Sequence, residues 1–210
     1  MAFIRLVGCS VGQRICTSCD TDFDIMRPEL GGGLYTVEEL VAWAKEHRVE
    51  HVCLTGGEPL DRDLRPLLKG IYEDVGWAHV ETSGTKNPGW LVRSDMPEET
   101  FPLSVQHDDG EEPEPMALWL TVSPKPGYRA DMLALADELK VIDGGLGDGP
   151  GWPTLDDALA WAKEGKLVYW QPRNDRLQIH HDHMAEAIAV VTQHPQLRLS
   201  CQLHKYIRTR

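Results

Sequence analysis

Short apolar, β-branched runs alternate along the chain with longer runs whose apolar positions recur every three to four residues. This is the pattern of strands and helices laid down in turn. Strands are predicted at residues 3–8, 51–55, 78–82, 118–123, 138–142, 167–171 and 197–201. A first helix is predicted over 37–47, where Thr36 and Glu39 form a capping-box pattern and Leu40, Val41 and Ala44 share one face. A second follows Asp61, with Leu64, Leu67, Leu68 and Ile71 at helical spacing. A third follows Thr154, again with an acid three positions on. A fourth covers 183–194, with Met184, Ala187, Ile188 and Val191 facing inward. The alternation predicts an α/β fold.

Two stretches break it. Residues 93–115 are acidic and Pro-rich, with QHDDGEEPEPM at their centre, and read as a mobile surface excursion. Residues 143–153 carry five glycines and two prolines and read as a loop. There is no internal repeat and no linker, so residues 1–210 are expected to form a single domain.

Composition narrows the partners. No apolar run approaches the ~20 residues of a membrane span, and MAFIRLVGCS lacks the layout of a signal peptide, so a cytoplasmic protein is expected. A net charge of −12 without a basic stripe argues against nucleic acid. Five cysteines, three of them within eleven residues, read as metal binding before disulfides.

In parallel α/β folds the chemistry gathers at the carboxyl ends of the strands. There the sequence places Cys9, GGEP, SGT, SPKP and QPRN, each after a different predicted strand. The cysteines read C-x6-C-x2-C: Cys9, Cys16 and Cys19. Three thiolates can cap three irons of a cubane cluster and leave the fourth iron open to a small molecule. On spacing alone zinc and unligated thiols remain open, although no second ligand pair at zinc-site spacing is present. Cys53 and Cys201 fall inside predicted strands, where a buried free thiol is the default. In GGEP, glycines at a strand end permit close backbone approach, Pro59 fixes the turn, and Glu58 places a carboxylate suited to a cationic amine. His180, His181 and His183 could suggest a metal cluster but precede a helix, and read as polar residues of its start.

CTSCDTDFD, LTGGEPL, ETSGT, TVSPKP, ELKVI, YWQP and QLHK follow one another in this order. In these motifs, over nearly the whole chain apart from the acidic excursion, the sequence resembles the 7-carboxy-7-deazaguanine synthases of the radical S-adenosylmethionine (SAM) superfamily. The resemblance implies a partial (β/α) barrel of about six strands, of radical SAM type, with a short C-terminal strand. It implies conversion of 6-carboxy-5,6,7,8-tetrahydropterin to 7-carboxy-7-deazaguanine with loss of ammonia. The implied cofactors are a [4Fe-4S] cluster on Cys9, Cys16 and Cys19, SAM, and Mg2+ on Thr21. The implied SAM contacts are Ser18, Asp20, Gly57, Glu58, Ser123, Pro124 and Lys125, with Gln171, Pro172, Arg173 and Asn174 on the adenine side. The implied pterin contacts are Arg5, Thr55, His204 and the carboxylate of Arg210. A flavodoxin- or ferredoxin-type electron donor and a homodimer are implied too. Plainer readings make Arg5 a solvated rim residue, Lys125 a surface ion-pair partner and Thr21 a turn hydroxyl.

The resembled family carries a Gln-Gly-Glu-Gly element ahead of its first strand that touches the pterin. This sequence opens on the first predicted strand, which leaves three readings open: the pocket is completed differently, the gene start is misplaced, or the substrate has changed. The first cysteine gap is also longer than the superfamily's commonest C-x3-C-x2-C, though longer gaps occur among these synthases. A glycyl-radical-enzyme activase would use the same cluster, but SPK, CDT and the terminal HK speak against it. A non-catalytic zinc module is the reading from a different class.

Overall fold

The computed structural model describes residues 1–19, 21, 31–93, 103–108, 110, 112–146, 149–174 and 178–206. In chain order the elements are β1 (Ala2–Leu6), α1 (Val37–Glu46), β2 (His51–Gly56), α2 (Arg65–Asp74), β3 (Trp77–Thr82), β4 (Leu91–Arg93), β5 (Leu103–Val105) and β6 (Glu114–Met116). Then come β7 (Leu118–Val122), α3 (Ala130–Leu135), β8 (Glu138–Ile142), α4 (Leu155–Lys163), β9 (Leu167–Gln171), α5 (His181–Gln193), β10 (Arg198–Leu199) and α6 (Leu203–Tyr206). Seven strands form one sheet in the order β1-β2-β3-β7-β8-β9-β10, with every pairing parallel. Each strand lies beside its predecessor in that sheet. The chain therefore winds one way, as in a (β/α) barrel, without the reversal of a doubly wound sheet.

Period-two alternation assigns the faces. Ala2, Ile4, Val52, Leu54, Ala78, Val80, Leu118, Leu120, Leu139, Val141, Val168 and Trp170 are buried on one face. All of these except Ala2 pack in one core with Val41 and Ala44 of α1, Leu67, Leu68 and Ile71 of α2, Met132 of α3, Ala158 of α4 and Ala187 of α5. Each large aliphatic side chain so buried contributes about 1.5–3 kcal/mol. The opposite face carries Phe3, Arg5, Thr55, Glu81, Thr121, Glu138 and Lys140, and is the inner face of the partial barrel. Both predicted capping boxes form. Thr36 Oγ1 accepts from Glu39 N at 3.2 Å while the Glu39 carboxylate accepts from Thr36 N at 2.8 Å. Thr154 and Asp157 repeat these distances at the start of α4.

Three features differ from the sequence reading. Of the acidic excursion, residues 103–105 pair antiparallel with 91–93 on one side and with 114–116 on the other, forming a three-stranded sheet. Leu91, Leu103, Val105 and Met116 there are buried in the core, and those apolar positions outweigh the acidic composition around them. Residues 94–102, 109 and 111 of that stretch lie outside the described residues. The short helices α3 and α6 were not expected. Ile188 does not face inward: it is 45% exposed, because the stripe α5 turns to the core runs through Ala187, Val190 and Val191.

Candidate active site

The cysteine loop and the GGEP turn form one stitched unit. Gly57 N donates to Leu6 O at 2.7 Å and Glu58 N to Gly8 O at 3.0 Å. The Asp61 carboxylate accepts from Ser10 N at 2.7 Å, and the Arg62 guanidinium donates to Val7 O. The two glycines serve this approach: a Cβ on Gly57 would lie 1.8 Å from Gly8 O, and one on Gly56, at φ +103°, 2.5 Å from Leu6 O. On its far side the loop is held by Leu146 O, which accepts from Thr17 Oγ1 at 2.9 Å and Ser18 N at 3.2 Å. Thr21 is buried and donates to Gly56 O at 2.8 Å, leaving its oxygen lone pairs as acceptors.

Glu58 is 1% exposed, and both its oxygens are engaged within the protein. Oε1 accepts from Thr82 Oγ1 at 2.5 Å and Leu60 N at 3.2 Å, and Oε2 from Ser83 N at 2.8 Å and from Ser83 Oγ. A carboxylate has about four acceptor positions, and all four are taken. The side chain therefore clamps the turn after β2 to the turn after β3. The next turn joins them: Ser123 N donates to Thr82 O at 2.8 Å and Lys125 N to Ser83 O at 3.2 Å. Lys125 Nζ donates to both Ser123 O and Ser123 Oγ at 2.8 Å, and burial pushes its pKa down. Pro124 between them is buried.

Beneath these turns the inner face carries a polar row. Arg5 stands opposite Thr55, Glu81 opposite Thr121, and Thr121 opposite Glu138. Thr55 Oγ1 donates to Glu81 Oε2 at 3.2 Å and Lys140 Nζ to Glu81 Oε1 at 2.8 Å. Burial raises the Glu81 pKa, but Lys140, together with His79 and Thr55, outweighs it and the net shift is downward. Arg5 is exposed and meets no carboxylate among the described residues. A strand row facing a packed core would be apolar, so this row marks a face that takes a polar ligand.

No family model matches the chain. The 7-carboxy-7-deazaguanine synthase of Synechocystis is 33% identical over 99% of this chain and 83% of its own length. That of Bordetella pertussis is 27% identical over 98% and 87%. The chain belongs to the 7-carboxy-7-deazaguanine synthase family. The crystal structure of QueE from Escherichia coli shares the fold, with a TM-score of 0.60 at 24% identity over 96% of this chain and 84% of that one.

A 7-carboxy-7-deazaguanine synthase is a radical SAM enzyme, so a [4Fe-4S] cluster and SAM are expected. The donor set fits. Cys9, Cys16 and Cys19 stand on one loop, none of them in a disulfide. Burial pushes Cys16 up to about 11, against Lys125 and reinforced by Cys19 and Cys9, so the three thiols lie within electrostatic reach of one another. Among the described residues no three His, Cys, Asp or Glu side chains are already gathered at coordinating distance. The other thiols stand apart: Cys53 is buried in β2 as expected, whereas Cys201, expected inside a strand and buried, is exposed because β10 ends at Leu199.

The adenine-side expectations meet a mixed arrangement. Gln171 is buried and its Oε1 accepts from Ser200 Oγ at 3.2 Å. Asn174 is 2% exposed and bridges Gln202 Oε1 at 3.2 Å and His180 N at 3.0 Å, so it braces the margin of the barrel. Pro172 is buried, and Arg173 offers its carbonyl to the His183 ring at 2.7 Å. His181 is the first residue of α5. Asp20, Arg210 and the His204 side chain lie outside the described residues.

The sequence reading missed Glu81, Thr121, Glu138, Lys140 and His79. The signal was present in HVET and ELKV, where polar residues alternate with buried apolar ones at strand period. Only the strand register reveals that they share one face.

Proposed function

We propose that this chain converts 6-carboxy-5,6,7,8-tetrahydropterin to 7-carboxy-7-deazaguanine with release of ammonia. The observation that carries the reading is the union of three thiols on one loop, a GGEP turn stitched to that loop, and the polar row opening beneath both. Cys9, Cys16 and Cys19 would hold a [4Fe-4S] cluster, which with SAM supplies the hydrogen-abstracting chemistry when bound. Ser18, Gly57, Ser123, Pro124 and Lys125 sit on or beside the turns that would line SAM, and Asp20, next to Cys19 in sequence, would join them. Glu58 acts there as a clamp. Gln171, Pro172, Arg173 and Asn174 would close the adenine side.

Arg5, exposed at the end of β1, would pair with the pterin carboxylate through a charge-assisted fork. Thr55 orients Glu81 beside it. His204 and the Arg210 carboxylate would complete the pocket. The Thr21 oxygen suits Mg2+, a hard cation that takes oxygen ligands. Residues 1–210 would work as a single radical SAM domain in a cytoplasmic homodimer, with a flavodoxin- or ferredoxin-type protein as electron donor. No helix among the described residues is long and apolar enough to cross a membrane.

Anaerobic reconstitution tests this directly. The expected result is about four irons per chain, reductive cleavage of SAM, and a product lighter than the carboxypterin by one ammonia. Omitting Mg2+ should slow conversion. One equivalent of zinc with no SAM cleavage would refute the enzyme. SAM cleavage with the pterin left intact would refute the substrate.

A further inference from the structure

The inner face holds a second polar constellation that none of the roles above uses. His79 Nε2 lies 2.6 Å from Thr121 Oγ1, and Thr121 Oγ1 donates to Glu138 Oε1 at 2.8 Å. The hydroxyl has one proton and gives it to the carboxylate, which can only accept. His79 must therefore carry its proton on Nε2 and donate it to Thr121. That leaves Nδ1 as the proton-accepting side of a neutral ring, and burial pushes the His79 pKa down, which keeps the ring neutral at pH 7.

The two ends of this chain of bonds open to different places. His79 lines a cavity with Met1, His51, Trp77, Ala78 and Trp119, at the amino ends of β2, β3 and β7. That cavity is the floor of the barrel, at the opposite end of the strands from the cysteine loop. Glu138 lies in the register row that carries Thr121 and Glu81, with Thr55 and Arg5 continuing it.

We propose that His79, Thr121 and Glu138 form a proton relay that supplies the reaction face from solvent at the floor of the barrel. The proposal rests on the functional reading above. In that reaction the departing nitrogen leaves as ammonium at neutral pH, so each turnover takes up one proton. The step balances without any other reactant. Hydronium of the solvent at the floor cavity gives its proton to His79 Nδ1 and is left as water. The Nε2–H bond breaks as a new O–H forms on Thr121, the proton formerly on Thr121 passes to the Glu138 carboxylate, and Glu138 releases it to the departing amine and is ionised again. Tautomer exchange through solvent resets the ring. The other charged groups around His79 are Glu81 on its own strand and Lys140 beside Glu138 on β8; Glu81 and Glu138 favour the protonated ring, and Lys140 opposes it. From β2, Cys53 stands opposite His79 with its thiol pushed up to about 12, so it carries no charge there.

Two variants separate a relay from a structural bond. Thr121→Val keeps the shape and removes the bridge, while Thr121→Ser restores it. His79→Gln keeps an N–H for Thr121 but cannot carry a proton onward. Both Thr121→Val and His79→Gln should lower kcat about 10- to 100-fold. KM for the carboxypterin should stay within about twofold, the solvent deuterium effect on kcat should rise, and Thr121→Ser should recover most of the rate. Added imidazole should partly restore the His79→Gln enzyme. A full rate in Thr121→Val or His79→Gln would overturn the relay. A second readout needs no turnover: nitrogen NMR of the histidines in unreconstituted protein should show His79 as the neutral Nε2–H tautomer, lost in Thr121→Val. Finding His79 as the Nδ1–H tautomer in the wild type would overturn the relay whatever the activity. A wild-type enzyme that fails to convert the carboxypterin while showing the Nε2–H tautomer would overturn the functional reading and, with it, this use of the relay.

Discussion

Replacing Glu58 with Gln separates two roles for the best-known residue of the GGEP turn. If the carboxylate meets the amine of SAM, the substitution should weaken SAM binding and leave the fold alone. The structure argues for the reverse. Oε1 takes the hydroxyl of Thr82 and the N–H of Leu60, and Oε2 takes the N–H and hydroxyl of Ser83. A Gln amide can donate to either hydroxyl once it rotates, but its NH2 cannot accept from a backbone N–H. Whichever way the amide is placed, one buried N–H, of Leu60 or of Ser83, faces another donor.

An orphaned buried donor costs about 1–3 kcal/mol, and losing the charge weakens the remaining bonds, so a total near 2–3 kcal/mol is expected. For a chain of this size that lowers Tm by about 4–12 °C. Urea and thermal unfolding of the unreconstituted chain would measure it, beside SAM binding to the reconstituted protein by equilibrium dialysis. SAM affinity should fall by less than about tenfold, or ~1.4 kcal/mol. A melting point within about 1 °C of wild type, joined to a larger loss of SAM affinity, would refute the clamp and return Glu58 to the ligand.

Gly57→Ala should be far worse than its size suggests, because the new Cβ would sit 1.8 Å from Gly8 O; Gly149→Ala, with nothing within 4 Å, is the control. A Tm drop of more than about 8 °C for the first and under about 2 °C for the second is expected from thermal melts. Lys140→Met should cost about 2 kcal/mol at pH 7, because it strands the Glu81 carboxylate. Lys140 holds the Glu81 pKa below 4.5, so the pair's stabilisation is present above that value and is lost as pH falls through the depressed folded pKa. Urea midpoints of wild type and variant should therefore converge in acid, and a constant gap would contradict the pair. With its thiol buried and pushed up to about 12, Cys53 should resist alkylation at pH 8 until the protein unfolds, whereas exposed Cys201 reacts at once; mass mapping of the adducts reads this.

What could be read ahead of the structure follows from how far each signal travels along the chain. The cysteine loop, the capping boxes and the strands of the main sheet are local patterns, and Thr36, Glu39, Thr154 and Asp157 declare themselves within four residues. The polar row is not local. Glu81 and Lys140 are 59 residues apart in sequence and 2.8 Å apart in space, and nothing in ETSGT or ELKVI alone says that they meet. Ile188 was misplaced for a related reason. Helical spacing admits it to the apolar stripe, but α5 lies over β9 and the two-residue β10 at the margin of the sheet, where there is little surface left to cover it. The three short strands around residues 91–116 were hidden by acidic neighbours, although Leu103, Val105 and Met116 make them part of the core.

The glycines of GGEP show why a motif can be visible while its meaning is not. A pair of glycines at a strand end signals that something comes close, and the natural guess is a cofactor. Here the close neighbour is the chain itself: the carbonyls of Leu6 and Gly8 occupy the space where Cβ atoms would be. Glu58 N on Gly8 O, Asp61 on Ser10 and Arg62 on Val7 then anchor the first of the three cysteines. The root of the cysteine loop is thus set by residues 50 to 55 positions downstream, through bonds that the chain makes with itself. A cluster held by this loop would meet Cys9 next to an anchored strand end, and any adjustment of the other two thiols would fall on the Cys16–Cys19 turn. That turn is held to the barrel by Leu146 O through Thr17 and Ser18.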